Sequence, residues 1–352
     1  MVLAGRYEMA GDSFSGGMAH VYVCRDLILE RIVAIKVMPG DGNQRRVRDE
    51  ISALLTLRSK HVVQVYDVFA LAESREDLAI VQEFIDGRDL FDATMFPENT
   101  KDYLKLIWQI SSGIADIHKL GIIHRDIKPN NMKVDGEGVL KIFDFGLSRP
   151  DGDEASTVGF VGTRGFAAPE LYAQHVNFTA AVDTFAFGAT ALFMAKRGLP
   201  AELTAQPPSF PQDNFQNNNF NLPVELVQIL NACLNPDPAQ RPAMAAVRDL
   251  IGKYLLSGRH KALVVFGNQA SYLDHSSRSV SLKLPTMGEV EISYDGLNFS
   301  VISMSGDVFV NNRRAVVGYV LPGACVVALG APAHGNRRQY ITFDLSHPEI
   351  VL

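Results

Sequence analysis

The spacing of apolar residues changes twice along this chain, and the two changes limit the folds that it can adopt. Short runs rich in β-branched residues predict strands in residues 6–84, with one helical pattern among them at 44–57. Between residues 99 and 255 the apolar residues recur mainly at helical spacing. After residue 261 short alternating runs return, separated by turn residues. We therefore expect a strand-rich segment with one helix, a helical segment, and a final segment made of strands.

The same patterns predict the individual elements. Strands are expected at 21–23, 32–37, 62–69, 78–84, 263–266, 280–284, 290–294, 299–303, 308–310, 326–329 and 340–343. Helices are expected at 99–121, 179–196, 223–234 and 244–255. The second of these helices is apolar nearly all round, which is typical of a buried helix. Residues 200–222 are rich in Pro, Asn, Gln and Phe and predict a loop.

Composition narrows the class of protein. The 352 residues suffice for two domains, and a net charge of −6 argues against a broad nucleic-acid-binding surface. No run approaches the roughly 20 apolar residues of a membrane helix, and the N-terminus shows no signal-peptide core. Cys24, Cys233 and Cys325 are too widely spaced to suggest a metal or disulfide framework. A cytoplasmic protein with reduced thiols is expected.

The densest set of chemically useful residues is the loop HRDIKPNN at 124–131, followed by DFG at 144–146. It supplies two carboxylates, a lysine and an amide. Upstream, the run VAIK at 33–36 ends in a lysine that strand alternation directs to one face. Such a lysine alone would usually be a solvated surface charge. Together these residues are the set that transfer of a γ-phosphoryl group from Mg-ATP to a hydroxyl requires.

Residues 6–255 resemble a eukaryotic-like Ser/Thr protein kinase domain of the type common in bacteria, because the motifs occur in the order of that family. The resemblance implies an α+β, bilobal fold with a small β-rich N-lobe and a helical C-lobe, in a bacterial cytosolic protein. We place the kinase domain at 1–257, a linker at 258–264 and a small all-β sandwich domain at 265–352.

The resemblance also implies a role for each polar residue of the motifs. Asp126 would accept the proton of the substrate hydroxyl, and Lys128 would neutralise charge on the γ-phosphate. Asn131 and Asp144 would hold Mg²⁺ or Mn²⁺, and Lys36 would hold the α- and β-phosphates of ATP. These roles depend on positioning and charge neutralisation more than on covalent work by the protein.

Two further residues have competing interpretations. The resemblance makes Glu50 the ion-pair partner of Lys36, although the neighbouring Asp49 could take that place, and either could lie on a solvated helix face. A histidine next to the catalytic aspartate suggests acid–base chemistry. By resemblance, however, His124 is a structural residue that supports the loop.

The remaining nucleotide contacts come from the phosphate loop, the strands around it and the hinge. By resemblance they are Gly16, Gly17, Val21, Ala34, Gln82, Glu83 and Ile85. Phe14 stands where bacterial relatives have the first glycine of the phosphate loop, so altered ATP affinity is expected. Gln82 would be the gatekeeper, and the backbone of 83–85 would contact adenine, with a shift of one residue left open.

The segment from Asp144 to the triplet APE at 168–170 resembles a kinase activation segment. Lys128 and Thr163 resemble the residues that favour Ser/Thr over Tyr substrates. Candidate phosphorylation sites are Ser156, Thr157 and Thr163, and Arg125 would bind the added phosphate. Alternatively, Ser156 and Thr157 are ordinary loop residues.

Three residues distinguish this family from small-molecule phosphotransferases of related fold. Glu170 would pair with Arg241, and Asp183 would accept hydrogen bonds from the catalytic-loop backbone. A buried aspartate without such partners would be energetically costly.

The runs FVNN at 309–312 and LPGACVVALG at 321–330 resemble the second half of a forkhead-associated (FHA) domain, a β-sandwich that binds phosphothreonine. The usual phosphate-binding arginine is replaced in Gly267-Asn268. Three alternatives follow: a docking or regulatory module without phosphothreonine binding, phosphate binding through Arg278, Arg313 or Arg314, or another small β fold.

The sequence therefore predicts an Mg-ATP-dependent Ser/Thr protein kinase that phosphorylates proteins, including itself, and carries a C-terminal FHA-like module. Its partners would be protein substrates, a protein bound by that module, and a second copy in a dimer, with no nucleic acid. The alternative is a pseudokinase scaffold that binds partners without turnover.

Overall fold

The computed structural model describes residues 1–15, 20–38, 54–71, 77–145, 149–150, 162–173, 178–346 and 350. The chain divides into two compact units, Met1–Ile251 and Gly252–Val351. Among the helices in these ranges, none has the length and apolar character needed to cross a membrane. Most of the helix expected at 44–57 lies outside the described residues, and 54–56 are helical.

The first unit begins with an antiparallel six-stranded sheet in the order β1-β2-β3-β4-β6-β5. Its strands are β1 (Val2–Leu3), β2 (Tyr7–Ser15), β3 (His20–Asp26), β4 (Arg31–Met38), β5 (Val65–Ala70) and β6 (Leu78–Glu83). One cluster of buried side chains from β2, β3, β4 and β6 forms its core, with Val33, Ile35 and Val81 fully buried. The strands predicted within 6–84 are confirmed, with shifted ends.

Short strands carry the loop that contains Asp126. Strand β8 (Ile122–Ile123) precedes this loop and pairs with β11 (Arg149–Pro150). After the loop, β9 (Met132–Asp135) pairs with β7 (Gly87–Asp89) on one side and with β10 (Leu140–Ile142) on the other. The loop at 124–131 is therefore held at both ends by strand pairing.

Most of the helical residues lie in the first unit. The α-helices are α1 (Thr100–Lys119), α2 (Ala181–Lys196), α3 (Ala201–Thr204), α4 (Val224–Cys233) and α5 (Met244–Leu255), which runs past the division at Ile251. Helix α1 is capped by Asn99, whose side chain accepts a hydrogen bond from the backbone N–H of Asp102. Every residue of α2 from Val182 to Ala195 is buried, which confirms the buried helix. The expected loop at 200–222 contains α3.

A glycine brings α2 and α4 close together. A Cβ atom at Gly188 would lie 3.0 Å from both the Cβ of Cys233 and a methyl carbon of Leu234. Because real Cβ atoms rarely approach so closely, a larger residue here would force the two helices apart. The glycine thus fixes the position of α2, the helix that carries Asp183.

The second unit contains two antiparallel sheets around one apolar core. Strands β12 (Lys261–Phe266), β13 (Gln269–Leu273), β17 (Val308–Val310), β18 (Arg313–Arg314), β19 (Cys325–Leu329) and β20 (Gln339–Ser346) form a sheet in the order β13-β12-β20-β19-β17-β18. Strands β14 (Ser279–Leu284), β15 (Gly288–Tyr294) and β16 (Phe299–Gly306) form the other. The expected linker at 258–264 overlaps β12, because Ala262 and Val264 are buried in the shared core.

Candidate active site

The carboxylate of Asp126 is held by three side chains. One oxygen of Asp126 accepts a hydrogen bond from the Thr163 hydroxyl at 2.8 Å. The other oxygen lies 2.9 Å from the amide nitrogen of Asn131 and 2.7 Å from the ammonium group of Lys128. The same ammonium group donates to the Thr163 hydroxyl at 2.8 Å. The structure thus brings Asp126, Lys128, Asn131 and Thr163 together, and little rotational freedom remains for the carboxylate.

Asp183 anchors the first residues of the loop at 124–131. Its carboxylate accepts hydrogen bonds from the backbone N–H groups of His124 and Arg125 at 2.8 and 2.7 Å. The Nε2 atom of His118 lies 2.9 Å from the same carboxylate. Burial alone would raise the pKa of Asp183, but these contacts hold its pKa below the usual value. The buried aspartate is therefore charged, and it fixes the start of the loop.

His124 is placed as a structural residue. Its ring is fully buried, its Nδ1 accepts from the backbone N–H of Asp126, and its Nε2 lies 3.1 Å from the carbonyl oxygen of Phe143. These contacts assign the ring proton to Nε2. Because burial lowers the pKa of His124, the ring is neutral at pH 7. It connects the loop with the segment that leads to Asp144.

Asp144 and Lys36 form an ion pair. The lysine side chain is almost fully buried, whereas 45% of the Asp144 side chain is exposed. Burial raises the pKa of this carboxyl group, but the charge and hydrogen bond of Lys36 outweigh that effect, and the net pKa is lowered. Asp144 therefore presents a charged, accessible carboxylate.

The donor set fits a hard divalent cation that also binds phosphate. The amide nitrogen of Asn131 is engaged with Asp126, so its side-chain oxygen is the atom left to act as a ligand. Carboxylate and amide oxygens suit Mg²⁺ or Mn²⁺. Among the described residues no group of three or more His, Cys, Asp or Glu side chains could hold a metal. Mg²⁺ is commonly held by one or two protein oxygens together with water molecules and phosphate oxygens of a substrate, which is compatible with this donor set.

Most of the other residues expected to contact the nucleotide lie on one face of the N-terminal sheet. Ala34 and Lys36 lie two residues apart on β4, so their side chains project from the same face. Val21 on β3 is paired with Lys36, and Gln82 on β6 is paired with Ala34. Directly opposed residues share a face, so these four side chains lie on one surface. Glu83 ends β6, and the partly buried Ile85 follows it.

Several sequence candidates lie outside the described residues: Gly16, Gly17, Asp49, Glu50, Ser156 and Thr157. The side chain of Phe14 is also undescribed, although its backbone pairs with Val21. The roles assigned to them stay predictions.

The end of the activation segment is tied to the helical part of the unit. The guanidinium group of Arg241 contacts both carboxylate oxygens of Glu170 at 2.6 and 2.8 Å. It also donates to the carbonyl oxygens of Ala181, Asn235 and Pro236, and its side chain is fully buried.

The guanidinium carbon of Arg125 lies 4.6 Å from the ring centre of Phe178, within the range of a cation–π contact.

Sequence reasoning missed two residues of this network. His118 lies in the last turn of α1, and its bond to Asp183 joins positions 65 residues apart. Lys141 on β10 forms an ion pair with Glu83, 58 residues away. Neither residue stands in a motif, and no periodicity in the sequence marks either one.

Comparison with known proteins agrees with this geometry. The protein kinase domain family matches residues 14–250. The serine/threonine-protein kinase PrkC of Bacillus subtilis is 37% identical over 153 residues, 42% of this chain and 23% of that protein. A serine/threonine-protein kinase of Corynebacterium efficiens, drp72, is 30% identical over 250 residues, 64% of this chain and 46% of that protein.

A eukaryotic relative shows a similar level of identity. Cyclin-dependent kinase-like 2 of Homo sapiens is 35% identical over 207 residues, 56% of this chain and 41% of that protein. This chain spans about half or less of the length of the curated relatives that it matches.

Proposed function

This chain belongs to the protein kinase family, and from that premise we propose that it transfers the γ-phosphoryl group of ATP to serine and threonine hydroxyls of proteins. The observation that carries the proposal is the contact of the Asp126 carboxylate with Lys128, Asn131 and Thr163 at 2.7–2.9 Å. A carboxylate held in this way, beside a cation and an amide, can orient a hydroxyl group for in-line transfer.

ATP and a divalent metal ion are used generally in this family. In this chain Asn131 and Asp144 would hold the metal ion, and Lys36 would hold the α- and β-phosphates. Bound Mg²⁺ would neutralise charge on the phosphates during transfer. The ion pair between Lys36 and Asp144 supports this assignment, because it holds a buried cation beside an accessible carboxylate.

The transfer step follows from the positions of Asp126 and Lys128. The acceptor hydroxyl oxygen forms a bond to the γ-phosphorus, the bond between the γ-phosphorus and the bridging oxygen of ADP breaks, and the hydroxyl proton passes to Asp126. Lys128 lies 2.7 Å from a carboxylate oxygen of Asp126, so its charge lies beside the proposed base. Neutral, buried His124 is assigned no proton transfer.

The Thr163 hydroxyl supports the assignment to Ser/Thr substrates. It bridges Lys128 and Asp126, so the activation segment is tied directly to the proposed base. Phosphorylation of Thr163 would replace both contacts, which makes Ser156 and Thr157 the better candidates for an activating phosphate. We propose that autophosphorylation occurs there, with Arg125 as a partner of the phosphate.

For the C-terminal unit we propose an FHA-like sandwich that serves as a docking or regulatory module. Two antiparallel sheets around one apolar core support that architecture. Arg314 forms an ion pair with Asp307 at 3.1 Å. The Nε atom of Arg278 donates to the carbonyl oxygen of His275, and its Nη2 atom lies 3.2 Å from the ring Nδ1 of that histidine. We therefore expect little phosphothreonine binding. Titration of the full chain with phosphothreonine peptides tests this, and micromolar affinity that depends on these arginines would contradict it.

The proposed activity is tested with a generic protein acceptor. Wild-type protein and the Asp126→Ala variant are incubated with Mg-ATP, and phosphorylated residues are mapped by mass spectrometry. We expect new phosphoserine and phosphothreonine with the wild type alone. Equal phosphorylation by both proteins, or phosphotyrosine as the main product, would contradict the proposal.

A further inference from the structure

A partly buried ion pair joins the end of β6 to β10. The ammonium group of Lys141 lies 2.9 Å from one carboxylate oxygen of Glu83 and 3.1 Å from the other. Only 15% of the lysine side chain and 25% of the glutamate side chain are exposed. At this degree of burial the pair is shielded from much of the screening that weakens surface ion pairs.

Hydrogen bonds with the backbone of Gln64 also hold Glu83. The N–H of Gln64 donates to a carboxylate oxygen of Glu83 at 3.2 Å, and the N–H of Glu83 donates to the carbonyl oxygen of Gln64 at 2.8 Å. The segment before Gln64 is bonded in turn to β10. Its Val63 N–H donates to Ile142 and its His61 carbonyl accepts from Ile142, both at 2.9 Å.

Three parts of the chain therefore meet at Glu83: β6, the segment 61–64, and β10. The residues that follow Glu83 are the proposed contact with the adenine base, and β10 leads within two residues to Asp144. Without the ion pair, the Glu83 carboxylate would keep the N–H of Gln64 as its contact, while the Glu83 backbone stays bonded to Gln64 and paired with Val33 of β4. Nucleotide recognition depends on sub-ångström placement of such backbone groups. Loss of the ion pair should therefore weaken nucleotide binding.

We propose that Lys141 is a positioning residue for the nucleotide, acting through Glu83 to fix the backbone that contacts the adenine base. The inference rests on the proposed function. It assigns Lys141 to recognition of the base and gives it no part in phosphoryl transfer. Lys141 should therefore control the affinity for ATP and the preference for ATP over GTP, with little effect on turnover once nucleotide is saturating.

A double-mutant cycle tests the proposal. ATP and GTP affinities are measured by titration calorimetry on full-length wild type, Lys141→Met, Glu83→Gln and the double variant, in the presence of Mg²⁺. We expect each single change to weaken ATP binding about fivefold to tenfold and GTP binding by less than twofold. The double variant should be no weaker than either single variant, because the two residues act as one pair. Lys141→Arg, which keeps the charge, should restore most of the affinity.

Lys133 provides a matched control. It lies directly opposite Lys141 on β9, and its ammonium group is 5.9 Å from the ring centre of Phe143. Lys133→Met removes the same charge from the same face of the sheet and should leave ATP affinity unchanged. Thermal unfolding of every variant shows whether the fold is retained, and Lys141→Gln serves if Lys141→Met does not fold.

The outcomes separate this inference from the proposed function. Unchanged ATP affinity in Lys141→Met or Lys141→Gln, additive effects in the double variant, or equal losses for ATP and GTP would each overturn it. So would equal weakening by Lys133→Met. If the wild type itself does not bind ATP, the proposed function fails and the inference fails with it.

Discussion

Two residues of the site, Arg125 and Asp144, have φ angles of 68° and 67°, in the left-handed region that L-residues with side chains rarely adopt. Such a conformation costs about 1–3 kcal/mol per residue and needs support from its surroundings. The carboxylate of Asp183 binds the backbone N–H of Arg125, and Lys36 pairs with Asp144. Asp183 and Lys36 therefore help to hold both residues in strained conformations at the points where the motifs need them.

A substitution at Thr163 tests the contact with the proposed base. Thr163→Ser keeps a hydroxyl group at that position, so we expect at least a third of the wild-type turnover. Thr163→Val removes the hydroxyl that both Lys128 and Asp126 contact. Turnover should fall roughly a hundredfold, the usual cost of a misplaced catalytic group. Steady-state kinetics on a protein acceptor measures this, and equal turnover in the two variants would contradict the assigned contact.

Buried histidines predict how stability depends on pH. Burial lowers the pKa of both His61 and His124 below the value of about 6.5 that histidine has in an unfolded chain. Below pH 6.5 the unfolded chain therefore binds protons that the folded protein does not, and stability is lost as the pH falls. The loss should approach 1.4 kcal/mol per pH unit for each histidine at most, about one tenfold change in the folding equilibrium.

Denaturant unfolding between pH 7.5 and 5.5 measures that slope. His61→Gln should reduce it, whatever its effect on stability at neutral pH. A slope that is the same in wild type and His61→Gln would show that His61 titrates alike in the folded and unfolded states.

At the scale of elements, α2 and the loop at 235–242 hold the activation segment through a single arginine. Arg241 makes five hydrogen bonds, two to Glu170 and three to backbone carbonyls. The planar guanidinium group can satisfy all of them together, whereas an ammonium group cannot. This arginine connects the loop after α4, the N-terminus of α2 and the APE triplet.

Arg241→Met should destabilise the protein by about 3–5 kcal/mol, because it leaves the Glu170 carboxylate without its buried partner. Arg241→Lys should lower the free energy of unfolding by less than Arg241→Met does. Arg248 offers a comparison, since 67% of the side chain of its partner Asp249 is exposed and the pair should contribute at most about 1 kcal/mol. Chemical unfolding of the three variants measures the difference. If Arg241→Met and Arg248→Met are equally stable, the account of Arg241 is wrong.

The elements also show what periodicity can predict. Helices α1, α2, α4 and α5 and most strands of five or more residues follow the sequence pattern, because their buried faces recur regularly. Strands β1, β8 and β11 have two residues each, too few to show a period. Strand β13 was missed because four of its five residues are exposed, so it lacks the expected alternation.

The site was predictable to a similar extent. Motifs place Asp126, Lys128, Asn131 and Asp144 in order along the chain, and the fold brings the first three within hydrogen-bond distance. The bonds of Asp183 with His118 and of Glu83 with Lys141 depend on tertiary packing between distant segments. Sequence spacing carries no information on such pairs, so only the structure reveals them.

At the scale of the whole molecule, the division into two compact units predicts two unfolding transitions. If Mg-ATP binds the folded kinase domain, as proposed, it should raise one transition and leave the other unchanged. The stabilisation should be about 2.7 kcal/mol at a hundredfold excess of ATP over its dissociation constant. Scanning calorimetry of the full chain with and without Mg-ATP measures both transitions.

A truncated chain identifies the transition that belongs to each unit. Residues 1–257 retain the whole of α5, which a cut at Ile251 would divide. This fragment should keep the ATP-sensitive transition and lose the other. A single transition in the full chain that shifts as a whole with ATP would show that the two units unfold together.

We propose that Asp126 supports phosphoryl transfer and is not needed to bind ATP. The most direct test measures ATP affinity and the rate of transfer to a protein acceptor side by side, in wild type and Asp126→Asn. The variant should bind Mg-ATP within threefold of the wild type. It should transfer phosphate at least a hundredfold more slowly, the usual contribution of a general base. ATP binding without transfer in the wild type would instead indicate a scaffold, and transfer that survives in Asp126→Asn would contradict the role assigned to Asp126.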